Sequence, residues 1–250
     1  MAVIAKYACI AMPGVNAIDK LAPDSGGYRK VVVGAFDTYN SVGEYYPLLP
    51  SVRKMFDSGG IVRRRLDTGF LRGEYGHPRV AGLSLEDAIR RLIRIDEKSV
   101  SHHFKSITLQ DGVDERGSKI VLVVGEVKPT GPYEQTLDNH FKNPDENVAF
   151  SVRSLTDTKV MNGRKNKIIL DALTWDYVNE PGIKNATQYN SVGLEEIQDN
   201  LIFTEADLNR VIESSNHIGL ENDYSALTMV RSALGWEKVQ VIKVSAIDWQ

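Results

Sequence analysis

Three short segments carry residue types suited to acid–base or nucleophilic chemistry. The first is Gly73-Glu-Tyr-Gly-His-Pro78. Glycine and proline frame His77, so the spacing predicts a fixed turn that can hold an imidazole at a surface cleft. Histidine is the side chain best suited to general-base work near neutral pH. A lone turn histidine is nevertheless structural more often than catalytic. The second segment is Val148-Ala-Phe-Ser-Val-Arg-Ser-Leu155. Ser151 lies in an apolar strand pattern, and Arg153, two residues on, shares its face. A cation beside a serine is what an oxyanion site uses. A strand with an outward polar face is the plainer alternative, and on this segment alone the better one. The third segment runs from Leu173 to Ala186. Asp176 interrupts an apolar strand just before a Pro-Gly turn. A half-buried carboxylate needs a partner, either a histidine that it orients or an arginine such as Arg153.

Other chemistries find less support. There is neither a CxxC nor an HExxH pattern, and no glycine-rich phosphate loop. His102 and His103 are adjacent, so on a strand or helix they point in different directions. A zinc site from His102, His140 and an acid has no spacing signal behind it, and no metal or cofactor is expected. Arg63-Arg64-Arg65 and Arg90, Arg91 and Arg94 form a basic group. Asp67, Glu86, Asp87, Asp96 and Glu97 dilute it, and no aromatic platform is interleaved. Nucleic acid is therefore disfavoured. A solvated face, or a surface for an acidic protein, fits better.

Short β-branched runs bounded by Gly, Pro, Asp or Asn must position these residues. Strands are expected at Lys30–Phe36, Ile61–Leu66, Ile107–Gln110, Lys119–Val127, Val148–Leu155 and Lys167–Trp175. Helices are expected at Pro50–Asp57, after a capping-box-like Ser84-x-x-Asp87, and over Tyr133–Phe141. Strands outnumber helices without alternating regularly with them. That predicts an α+β fold, a strongly bent sheet or barrel with peripheral helices. Residues 187–203 read as a polar linker. Thr204-Glu-Ala-Asp207 then opens a helix to about Ser215, Ser225–Leu234 forms another, and Lys238–Ile247 forms a strand.

The chain has 250 residues with 30 basic and 33 acidic side chains, 42% apolar content and one cysteine. It can bury a proper core and is neither disordered nor disulfide-stapled. No apolar run approaches the ~20 residues of a membrane helix. The apolar start, Met1 to Met12, lacks the basic flank of a signal peptide. The near-neutral charge hides a split. Residues 187–250 hold four basic and ten acidic side chains, a net of −6. The remaining 26 basic and 23 acidic residues give residues 1–186 a net of +3. Opposite signs allow one segment to dock on the other, although composition drift along one domain accounts for the split equally well.

Taken together, the segments resemble the prohead core protein proteases of tailed phages, the T-even-like procapsid maturation proteases. The resemblance spans about Lys30 to Ala186. Asn40 to Pro47 resembles the family's N-x6-P segment, and Gly73-Glu74-Tyr-Gly-His77-Pro78 its G-E-x-x-H-P motif with the catalytic histidine. Gly125 to Leu137 resembles the stretch before the nucleophile. Phe150 to Leu155 resembles the V-S-S-R-G-L strand, whose first serine is the nucleophile. Asp176 to Ala186 resembles D-x-V-x-x-P-S-x-x-x-A. Val152, Ser154 and Gly182 depart from these patterns.

The resemblance implies a herpesvirus-protease-like fold: a bent antiparallel β-barrel ringed by helices, here with a small C-terminal α/β tail. It implies a serine endopeptidase domain over 1–186, cutting capsid and scaffold or core proteins inside the viral procapsid in the host cytoplasm. Ser151 is then the nucleophile, His77 the base and Asp176 the orienter, with Glu74 as the other candidate orienter. Arg153 is assigned to the oxyanion, a structural ion pair with Asp176 or Glu180 being the alternative. Homo-oligomers are compatible with this reading. So is an acidic 187–250 tail that inhibits by occupying the arginines and is removed by self-cleavage after Glu196. The rival reading is an inactive structural phage protein on the same barrel.

Overall fold

A computed structural model describes residues 4–12, 22–40, 43–57, 60–114, 117–143, 145–146, 148–178, 201–218 and 221–236. The strands are β1 (Ile4–Met12), β2 (Arg29–Phe36), β3 (Thr38–Tyr39), β4 (Tyr45–Tyr46), β5 (Arg72–Glu74), β6 (Val100–Val113), β7 (Lys119–Pro129), β8 (Ala149–Met161), β9 (Arg164–Val178) and β10 (Ile202–Thr204). The helices are α1 (Pro50–Asp57), α2 (Ile61–Asp67), α3 (Leu85–Ile93), α4 (Glu134–Lys142), α5 (Glu205–Ile218) and α6 (Glu221–Ala233). One sheet runs β10-β1-β8-β9-β4-β3 and the other β2-β7-β6-β5. The expected α+β class holds, with ladders that are antiparallel except at the β4–β9 bridge. Among the described residues the two sheets are linked by one isolated parallel bridge, Tyr75–Tyr177, and no ladder closes a barrel.

The long hairpins β6–β7 and β8–β9 set this architecture. Asn162 (φ 52°) and Gly163 (φ 72°) are both left-handed at the tip of β8–β9. That is the two-residue turn whose twist matches a hairpin. The main core lies between the sheets, where Phe104 and Val127 of one face Phe150, Val152, Trp175 and Tyr177 of the other. A second core covers the opposite side, joining Ile89 and Leu92 of α3, Leu155 and Leu173 to Phe203, Leu208, Val211, Leu227 and Val230. With both faces covered, β8 and β9 are buried almost continuously near the site.

One element differs from expectation. Ile61–Leu66 is not a strand but most of α2. Ile61 and Val62 are buried, while Arg65 reaches back to donate to the carbonyls of Leu173 (2.6 Å) and Ile93 (3.1 Å). Arg63 pairs with Asp67 one turn on, which a helix allows and a strand does not. The expected cap of α3 is present, with Ser84 Oγ accepting from the Asp87 amide at 3.1 Å. Thr204 and Asp207 cap α5 in the same way. The expected boundary at 186, the Pro-Gly turn, Glu196 and the 238–247 strand lie outside the described residues.

Of the acidic segment, the described part is β10, α5, α6 and the residues up to 236. Its helices meet the body through apolar side chains. Of the arginines proposed to receive it, Arg91 pairs with Glu74 at 2.5 Å, whereas Arg90, which also pairs with Asp87 at 3.3 Å, donates to Ser214 of α5 in the segment itself.

Candidate active site

His77 is positioned by backbone bonds from the two residues that precede it. β5 ends at Glu74, and Tyr75 then bridges to Tyr177 of β9. The Tyr75 amide donates to Ser99 O (2.8 Å) and the Gly76 amide to Tyr177 O (2.7 Å). Gly76 has φ +75°, where a side chain is strained. The next residue, His77, therefore emerges beside Asp176.

On β8 and β9 the alternation of faces does the sorting. Phe150, Val152, Trp175 and Tyr177 point into the main core. Ser151 and Arg153 point the other way, with Ser151 directly opposite Asp176 and Arg153 opposite Thr174. Such directly opposed residues have Cβ atoms about 4.5–5.5 Å apart on the same face.

Asp176 is fully buried and accepts four bonds. Arg153 donates Nη2 to Oδ1 (2.7 Å) and Nε to Oδ2 (2.9 Å). The Glu74 amide donates to Oδ1 (3.0 Å), and His77 Nδ1 lies 3.3 Å from Oδ2. Burial by itself would raise this carboxyl. The Arg153 charge and the His77 and Arg153 bonds outweigh burial and hold it below the ordinary carboxylate range. It is therefore ionised at neutral pH.

The other carboxylate faces away from the histidine. Glu74 accepts from Arg91 Nη1 (3.0 Å) and from the Asp96 amide (2.8 Å), and pairs with Arg153 Nη2 (3.1 Å). Arg153 also donates Nη1 to the carbonyls of Arg94 (3.1 Å) and Leu92 (3.4 Å). Its guanidinium is thus fully buried and directed at carboxylates and carbonyls of the chain itself. That is the ion-pair alternative rather than the oxyanion placement. Ser151 Oγ is buried and makes no hydrogen bond, so the expected contact with His77 is not formed here. A buried hydroxyl without a partner costs about 1–3 kcal/mol, and such exceptions call for an explanation.

Sequence reasoning named His77, Ser151, Arg153, Asp176 and Glu74, and all five lie in this one region. It placed Arg91 in a solvated or acid-binding basic group and weighed His102 only as a zinc ligand, and so tied neither to this region.

The region thus brings together a turn imidazole, a buried ionised aspartate and a serine across the ladder. Residues 7–232 match the model of the Peptidase S80 family, and the chain belongs to that family. It is 34% identical, over 90% of this chain and 86% of the relative, to the "Capsid maturation protease" of Pseudomonas phage phiKZ. No solved structure matches.

Proposed function

We propose that this protease is a serine endopeptidase of capsid maturation, with Ser151 as nucleophile, His77 as general base and Asp176 as its orienter. One observation carries the reading: His77 and Ser151 approach the same buried carboxylate, the first by hydrogen bond and the second from the facing ladder position. Nδ1–H donates a hydrogen bond to Asp176, which leaves the Nε2 lone pair as the base. As Ser151 Oγ bonds to the scissile carbonyl carbon, its proton passes to Nε2. Asp176 stabilises the imidazolium so formed. The C–N bond then breaks, and the imidazolium gives its proton to the departing amine. Water repeats the sequence on the acyl-enzyme. Catalytic contacts are often open in a free enzyme and tighten with substrate, so substrate binding must bring the Ser151 hydroxyl to the base.

Arg153 fits a positioning role better than an oxyanion role, because each of its nitrogens already faces an acceptor within the fold. The substrates are capsid and scaffold or core proteins, and the site of action is the procapsid in the host cytoplasm. Self-cleavage after Glu196 belongs to the same proposal. The inactive structural-protein alternative has the peptidase family match against it.

The test is the full chain incubated with the scaffold protein of its own virus and followed by intact mass. Ser151→Ala and His77→Ala should each abolish cleavage, by about 10⁴-fold or more, and the double variant should be no worse. Cleavage by Ser151→Ala at the wild-type rate would refute the assignment.

A further inference from the structure

His102 lies on β6, outside the residues assigned to the reaction, and is fully buried. Its ring packs edge-on against Phe104 (centroids 4.8 Å apart) and Phe150 (5.1 Å). Both nitrogens have partners. Nε2 is 3.1 Å from the carbonyl oxygen of Trp175, and Nδ1 is 2.8 Å from Ser101 Oγ. A carbonyl can only accept, so Nε2 carries the hydrogen. Nδ1 is then an acceptor, and the Ser101 hydroxyl gives its one hydrogen to it in preference to the Gly73 carbonyl, which is farther off at 3.4 Å. One neutral tautomer satisfies the whole chain of bonds. Burial pushes this imidazole down to about 4, against the opposing pull of Asp176 and of the Trp175 bond. A neutral ring with both nitrogens committed is not a second base.

What this ring holds is the peptide next to the active carboxylate. The Trp175 carbonyl and the Asp176 amide belong to one rigid peptide plane, so fixing the oxygen fixes the Asp176 Cα. The bond also crosses from the four-stranded sheet to the six-stranded one. Gly73 lies against the same junction. A Cβ there would sit 2.0 Å from Trp175 O and 2.3 Å from His102 Cε1, closer than any side chain tolerates. Next to Gly73 is Glu74, whose amide donates to Asp176. Thr174 Oγ1 adds a bond to Arg72 O at 2.6 Å.

We propose that His102, relayed by Ser101, is a positioning residue: through the Trp175 carbonyl it sets the depth of Asp176 and thereby the orientation of His77. This rests on the reading of His77 and Asp176 given above. A misplacement of about 1 Å in a catalytic group can lower a rate about 10²-fold.

The test is steady-state cleavage of the scaffold substrate by full-length variants, with circular dichroism and melting curves recorded alongside. His102→Phe keeps the ring shape among Phe104 and Phe150 but loses both bonds. It should lower kcat about 10²-fold with KM unchanged. His102→Gln places an amide nitrogen near the position of Nε2, and should recover kcat to within about fivefold of wild type. Ser101→Ala, a small change, should fold and lower kcat about tenfold. Unchanged kcat in folded Ser101→Ala, or equal kcat losses in the Gln and Phe variants, would overturn the proposal. Ser151→Ala run in parallel separates the two readings: if it stays active, the catalytic assignment fails, whatever His102 does.

Discussion

At the scale of residues, what could be read in advance was chemistry that breaks a pattern. Asp176 interrupts an apolar strand and His77 sits in a Gly-Pro turn, so both were visible in the sequence. The Glu74–Arg91–Arg153–Asp176 network was not, because Arg91 lies on a helix among other arginines and only tertiary packing turns it inward. Asp171 was hidden for the same reason. It is buried, and its Oδ2 accepts from the Ile61 amide at 3.2 Å. Burial pushes its carboxyl up to about 6, beyond what the bonds to Ile61 and Ala172 and the Arg65 charge offset. The sign follows from proton counting. Between 3.8 and about 6 the folded chain holds a proton that the unfolded chain has released, so stability falls as pH rises through that window. Above it the loss is complete, about 3 kcal/mol for such a rise. Asp171→Asn should therefore melt with wild type at pH 4 and above wild type at pH 7.5. A melting difference that does not change with pH would contradict this origin.

Among the elements, helices with caps and strands with β-branched runs were legible, and their lengths were not. β8 extends well past the apolar run that announces it, because its outer end, with Lys159 and Val160 exposed, needs no apolar pattern, while the outer part of β9 is buried at residues 166–169 and pairs with β4. Asn162-Gly163, a strong hairpin signal, lies at the tip of the β8–β9 hairpin. The failure at α2 is instructive. Ile61-Val62 followed by arginines satisfies a strand pattern, yet Arg65 and Leu66 complete a helical stripe with the apolar pair. Gly163 is left-handed and has open space around it. Gly163→Ala should therefore cost about 1 kcal/mol through backbone strain alone, seen as a small drop in the urea midpoint. Activity per folded molecule should be unchanged, because the tip is far along the ladder from the Ser151–Asp176 pair. A loss of kcat in folded Gly163→Ala would mean that the hairpin tip takes part in catalysis.

For the whole molecule, the charge split of −6 against +3 pointed to two parts but not to how they join. Charge is a surface property, whereas the junction is a core. Leu208, Val211, Leu227 and Val230 are almost fully buried against Ile89, Leu92, Leu155 and Leu173. β10 adds three ladder positions on β1. The same α3 supplies the carbonyls of Leu92, and just beyond it of Arg94, to Arg153. The C-terminal helices thus pack behind α3, whose end reaches the Glu74–Arg91–Arg153–Asp176 network. A cut after Glu196 breaks one peptide bond and none of these contacts. The two pieces should co-elute under native conditions and separate in urea. Leu227→Ala removes a fully buried side chain and should cost about 2–5 kcal/mol. In the cut protein that loss should appear as dissociation of the C-terminal piece, together with a fall in activity as α3 loses its backing. If the cut form releases its C-terminal piece spontaneously and remains fully active, the second core is dispensable for catalysis and the tail acts only as a removable restraint.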